Sequence, residues 1–253
     1  MTTSPDLVLS VHDLRKHFVL HSVDARRVDA LNGIDLTVHA GEHVALAGSS
    51  GAGKSTLLKS IYRTYRPSSG SVQLTLRDNR VVDLTALSDA ELAMLRGQEI
   101  GYVSQFLRAE PRRGALEIVA RAGVRRGMSR DEARDAAAVA LRRLNIDEML
   151  WDVYASVLSG GEKQRVNLAA GTISPPRLLL LDEPVSALDP TNRDAALELI
   201  GELTAQGVAV LAVFHDLDAM ERLATKVVLL RDGRVVSAGE PSVVLSELTG
   251  VAR

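Results

Sequence analysis

The chain has 253 residues, 46% of them hydrophobic and 25% charged, enough for one large α/β domain with an elaboration. A net charge of -2 gives no electrostatic case for nucleic acid or an anionic membrane as a bulk partner, and the absence of cysteine excludes disulfides and cysteine-ligated metals. The longest wholly apolar run, 208–214, falls far short of the roughly 20 residues a membrane helix needs, and Met1-Thr2-Thr3-Ser4-Pro5-Asp6 has neither the basic nor the apolar part of a secretory signal.

Strand-like patterning with turns runs over 7–47, with segments at 7–14 and 35–38 and an apolar strand at 43–47. Gly48-Ser49-Ser50-Gly51-Ala52-Gly53-Lys54-Ser55-Thr56 then matches the pattern G-x-x-x-x-G-K-[ST], and a helix is expected over 54–65. Between a strand and a helix, such glycines let the backbone form a concave nest of N–H donors. Lys54 brings a cation to the outer phosphates and Ser55 a hydroxyl for Mg²⁺, so the segment reads as a nucleoside triphosphate site.

The turn 67–70 leads to strands at 72–76 and 81–84. Ser88 with Glu91, and Ser129 with Glu132, read as capping boxes that start helices, the second running through 145. The stretch 106–157 shows no convincing strand, which implies a helical insert. Ser159 and Glu162 in Leu158-Ser159-Gly160-Gly161-Glu162 form a third box before a helix at 163–170. A glycine-bearing helix start can also hold an anion, so cap and phosphate site are both open readings.

Leu178 to Leu181 read as a buried strand that delivers Asp182-Glu183-Pro184 to its carboxyl end, where ligands of α/β sheets collect. Asp182 there can order Mg²⁺, and Glu183 can face a water attacking the terminal phosphate; a surface turn with ordinary acids is the alternative. Asp189 before Pro190 reads as a helix cap. A helix at 192–206, a strand at 208–214, a helix at 217–224, a strand at 226–230 and a hairpin turn at 231–234 into 235–237 complete a layered α/β pattern.

With the phosphate loop, Tyr102-Val103-Ser104-Gln105, Leu158 to Glu162, Leu178 to Pro184, Ser186-Ala187-Leu188-Asp189 and Phe214-His215-Asp216 in this order, the chain resembles the ATP-binding cassette (ABC) ATPases over essentially its whole length. Glu162 stands where the commonest family form has Gln. The resemblance implies a single domain over 1–253 of the P-loop NTPase type, with a RecA-like, mainly parallel core and β edge at 6–105 and 165–253 and a helical subdomain at 106–164. It implies ATP and Mg²⁺ as ligands and a head-to-tail dimer, with itself or with a sister ABC ATPase. ATP would lie between residues 48–56 of one chain and Ser159, Gly160 and Gly161 of the other.

Residue by residue, the resemblance makes Glu183 the base, His215 the γ-phosphate switch, Gln105 the contact to Mg²⁺ or the attacking water, Asp189 part of the loop crossing the dimer interface, and Phe18 the ring that stacks on adenine. Without it, His215 and Phe18 would read as core residues. Val103 to Arg108, Pro111-Arg112, 115–119, Arg143-Leu144-Asn145, Leu150-Trp151 and Gly161 to Asn167, with Phe18-Val19-Leu20-His21, look most like the L component of bacterial carbon-phosphorus lyase systems. That implies a cytoplasmic ATPase linked to ribose 1-methylphosphonate 5-triphosphate synthesis, with soluble lyase subunits as partners. The alternatives are the ATPase subunit of a lipoprotein-release or macrolide-export transporter, and a nucleotide-gated clamp. Phe106, Leu107, Arg108, Arg112 and Arg113 after Gln105 suit a protein interface.

Overall fold

Apolar runs of five residues, polar only at their ends, set the centre of the molecule. The computed structural model describes residues 7–20, 26–105, 112–214 and 216–249. Strands β1 (Leu7–Leu20) and β2 (Arg26–His39) pair antiparallel. After β3 (His43–Ala47) and helix α1 (Lys54–Ile61), strands β4 (Ser69–Thr75) and β5 (Val81–Asp83) extend that pair to a sheet ordered β2-β1-β4-β5. Both opening strands are longer than the expected segments. Register shifts and a positive φ of 41° at Asp13 break the alternation that a strand normally displays.

The second sheet uses β6 (Ile100–Val103), β7 (Leu178–Asp182), β8 (Ala209–Val213), β9 (Lys226–Arg231) and β10 (Arg234–Gly239), in the order β10-β9-β3-β8-β7-β6. Its pairings are parallel except β9 with β10, which the turn at Asp232-Gly233 folds back as expected. Every residue of β3, β7 and β8 is buried, which is why these strands are apolar runs and not alternations. Successive residues face opposite cores: Ala45, Leu179, Leu181, Val210 and Ala212 on one side, Val44, Leu46, Leu178, Leu180 and Leu211 on the other.

Helix α1 ends at Ile61, short of the expected 65, because Arg63 turns to a φ of 61° and the Tyr65 amide bonds back to the Lys59 carbonyl. Helix α2 (Asp89–Gln98) starts at the Ser88 box. The described part of 106–157 is helical, with α3 (Ala115–Arg125), α4 (Arg130–Arg143) and a short turn at Glu148–Leu150, plus one isolated bridge between Gly114 and Tyr154. Helix α5 (Gly160–Thr172) returns the chain to β7. Helices α6 (Pro190–Ala205) and α7 (Leu217–Leu223) follow β7 and β8, and α8 (Pro241–Thr249), which the sequence reading did not anticipate, closes the described chain. The layered α/β architecture is the one the sequence implied: a mainly parallel sheet, an antiparallel β part and helices.

Candidate functional site

β3 ends at Ala47 and the chain passes through Gly48, Gly51 and Gly53 at φ values of 141°, 81° and 104°. A Cβ on Gly48 would lie 2.3 Å from the Leu230 carbonyl oxygen, and one on Gly53 2.7 Å from that of Ala30, so glycine is required on steric as well as conformational grounds. Ser49, Ser50 and Gly51 form the exposed lip, while Ala52 is buried. Gly53 caps α1 with no side-chain hydrogen bond, leaving the first-turn amides near Ser55 and Thr56 as an anion-binding end. Lys54 is 6% exposed, and its Nζ donates to the carbonyls of Gly48 at 2.7 Å and Ser49 at 2.9 Å. Burial pushes this ammonium below its ordinary pKa, opposed by the charges of Glu183 and Asp182.

Asp182, the buried last residue of β7, joins the loop from across the sheet. Its Oδ1 accepts from Ser55 Oγ at 2.8 Å, while Oδ2 accepts from the Tyr102 hydroxyl at 3.3 Å and lies 3.9 Å from Lys59 Nζ. Ser55 and Asp182 thus present a hard oxygen pair, the donor set that suits Mg²⁺ shared with phosphate oxygens and water. Among the described residues no group of three or more His, Cys, Asp or Glu is placed to hold a metal ion.

Glu183 adopts a φ of 55°, a left-handed conformation that costs a non-glycine residue about 1–3 kcal/mol. Its surroundings hold it there. The amide donates to Val213 O at 3.0 Å, and the carbonyl accepts from Gln164 Nε2 and Ser186 Oγ, both at 3.2 Å. Its Oε2 accepts from Gln105 Nε2 at 2.9 Å, so Gln105 meets the candidate base and not the Ser55–Asp182 pair.

Ser159 is exposed and closes a full capping box, its Oγ accepting from the Glu162 amide at 3.3 Å and its own amide donating to Glu162 Oε2 at 2.7 Å. Hydrogen bonds from the Ser159 backbone and side chain hold the Glu162 carboxyl below its usual pKa. A Cβ on Gly160 would meet nothing within 4 Å, and one on Gly161 would meet the Ala187 carbonyl at 3.0 Å. Among the described residues no hydrogen bond joins Ser159, Gly160 or Gly161 to the loop at 48–56.

Asp189 caps α6, accepting at Oδ1 from the Asn192 amide at 3.1 Å and at Oδ2 from Asn192 Nδ2 at 2.5 Å, which lowers its pKa. Phe18 is half-buried on β1, with Tyr65 edge-on at 5.2 Å and Lys16 Nζ 4.8 Å from its centroid. His215, Phe106, Leu107, Arg108 and Pro111 lie outside the described residues. The sequence reading missed Tyr102 and Lys59 beside Asp182, and Gln164 beside Glu183. No spacing rule relates these positions, which only the folded sheet brings together.

A family model described as ABC transporter matches residues 31–186. The chain is 34% identical over 239 residues to the uncharacterized ABC transporter ATP-binding protein YknY of Bacillus subtilis, covering 93% of this chain and 99% of that one. It is 36% identical over 248 residues to the lipoprotein-releasing system ATP-binding protein LolD of Shewanella frigidimarina, covering 96% and 98%. Against the macrolide export ATP-binding/permease protein MacB of Rhodopseudomonas palustris the identity is 39%, over 83% of this chain but 31% of that protein. Among solved structures, the dimeric ATP-binding cassette MJ0796 in a post-hydrolysis state with ADP and Pi superposes with a TM-score of 0.83 at 29% identity, covering 92% of this chain and 98% of that one. These relatives carry transporter names and lend the carbon-phosphorus lyase resemblance no support. With the family match spanning more than half its length, the chain belongs to the ABC transporter ATP-binding family, and it is an ATP-binding ATPase.

Proposed function

We propose that this chain is the cytoplasmic ATP-hydrolysing subunit of a transporter of the lipoprotein-release or macrolide-export kind, acting as a nucleotide-driven dimer with itself or a sister ATPase. The exposed helix start at Ser159–Gly161, which makes no hydrogen bond to the loop at 48–56 among the described residues, supports the dimer: in a head-to-tail pair each such end would complete the site on the other chain's loop. The dimeric relatives support this arrangement.

In this reading the loop amides and Lys54 hold the triphosphate, and Phe18 packs on the base. Mg²⁺ would be held by Ser55 and Asp182 and would neutralise charge on the outer phosphates, while Gln105 holds the Glu183 carboxylate that faces the attacking water. Glu183 takes the proton of the attacking water, and the strained backbone at φ 55° aims its carboxylate. Ser159 and Gly161 of the second chain donate to the γ-phosphate, and His215 acts from its own chain. Asp189 lies in the interface-crossing loop.

The relatives LolD and YknY, named as transporter ATP-binding proteins, match 96% and 93% of this chain and support the transporter reading. Among the described residues no helix is long and apolar enough to cross a membrane. A second reading, the carbon-phosphorus lyase subunit, rests on the sequence resemblance of the blocks around Gln105, Ala115, Leu144, Trp151 and Asn167, which hydrogen bonds join in pairs. Leu116 N donates to Trp151 O at 3.0 Å, Arg165 Nη1 to Leu144 O at 2.9 Å, and Asn167 Nδ2 to Ser104 O at 2.6 Å. Purification of the tagged chain from its own host decides between them. Co-purifying integral membrane proteins support the transporter; soluble lyase subunits in their place overturn it in favour of the second reading.

A further inference from the structure

Helix α5 carries two buried amides one turn apart, Gln164 at 2% and Asn167 at 9% exposure. A buried amide is costly unless its donors are used, and both spend theirs on backbone carbonyls just beyond strand ends. Gln164 Nε2 donates to Glu183 O, one residue after β7, at 3.2 Å. Asn167 Nδ2 donates to Ser104 O, one residue after β6, at 2.6 Å. The circuit closes through the next residue, where Gln105 Nε2 donates to Glu183 Oε2 at 2.9 Å. One helix face therefore grips the acceptor residue of that hydrogen bond, Glu183, and the residue preceding its donor, Ser104, and the same helix is capped by Ser159.

We infer that Gln164 and Asn167 are positioning residues that transmit the placement of the helix behind Ser159 to the aim of the Glu183 carboxylate. A shift of α5 against the sheet pulls on Glu183 O and Ser104 O together and changes the Gln105–Glu183 contact. Glu183 is sensitive to such a pull, because its left-handed backbone persists only while its carbonyl is held. The inference rests on the reading of Glu183 as the base.

The test is steady-state ATP hydrolysis by the full chain with Gln164→Met, which keeps the volume and removes the donor, with Asn167→Leu, and with both. We expect kcat to fall about 10- to 100-fold in each single variant while the KM for ATP stays within about twofold. The double variant should lose no more than about threefold beyond the weaker single, because both break one circuit. Unchanged kcat in the folded single variants, or losses that multiply, overturns the inference. If Gln164→Met does not fold, Gln164→Asn, which withdraws the amide by one methylene, is judged by the same outcomes. Glu183→Gln runs in parallel. Wild-type turnover by that variant removes the base assignment itself, whereas an inactive Glu183→Gln beside fully active Gln164 and Asn167 variants sinks only the positioning role.

Discussion

Ser55 Oγ and Asp182 Oδ1 lie 2.8 Å apart, joining the start of α1 to the end of β7. This hydrogen bond places a hydroxyl and a carboxylate on one side of the phosphate loop, where a hard cation would bridge them to a nucleotide. Ser55→Ala should raise the Mg²⁺ concentration needed for half-maximal ATPase activity by about tenfold, while costing about 1 kcal/mol of stability for the lost hydrogen bond. A Mg²⁺ titration of phosphate release checks this. An unchanged Mg²⁺ dependence would remove Ser55 from the metal site.

Ser129 and Ser159 cap their helices with the same backbone angles, φ -61° and ψ 165°, and both complete a capping box. Ser129→Ala and Ser159→Ala should therefore destabilise the protein similarly, by about 1 kcal/mol each. Only Ser159→Ala should also depress ATP turnover, by about 10-fold or more, since its helix start is the one assigned to the γ-phosphate. Equal ATPase activity in the two variants at equal stability would reduce Ser159 to a cap.

His43 opens β3 fully buried, 5.8 Å from the Phe214 ring, with neither ring nitrogen hydrogen-bonded among the described residues. Burial pushes its pKa from the ordinary 6.5 down to about 3. The native state thus resists protonation that the unfolded chain accepts. Stability is fully present above about pH 6.5 and declines as pH falls toward 3, the loss reaching about 2 kcal/mol at pH 5. Urea unfolding at pH 7.5 and pH 5 should show a smaller acid loss for His43→Leu than for the parent chain. Identical losses would mean that the ring finds a proton acceptor.

The central motifs were legible because they are local. Gly48 to Thr56, the three Ser/Glu capping boxes and the apolar strands at β3, β7 and β8 are each encoded within a few consecutive residues. The extent of β1 and β2 was hidden by register shifts that interrupt alternation, and the early end of α1 by one backbone reversal at Arg63. Gln164 and Asn167 read as ordinary helix residues because their partners, Glu183 O and Ser104 O, are backbone atoms supplied by distant strands. His43 gave no signal for the same reason: its burial comes from β8 and β9, which flank β3.

The most direct test of the account is the Glu183→Gln variant, with its oligomeric state read by size-exclusion chromatography with and without ATP and Mg²⁺. The change keeps the side chain's shape and removes the base, so the account predicts ATP binding without turnover and an ATP-dependent shift from monomer to a stable dimer. Hydrolysis at the parental rate, or a chain that stays monomeric with ATP bound, would contradict it.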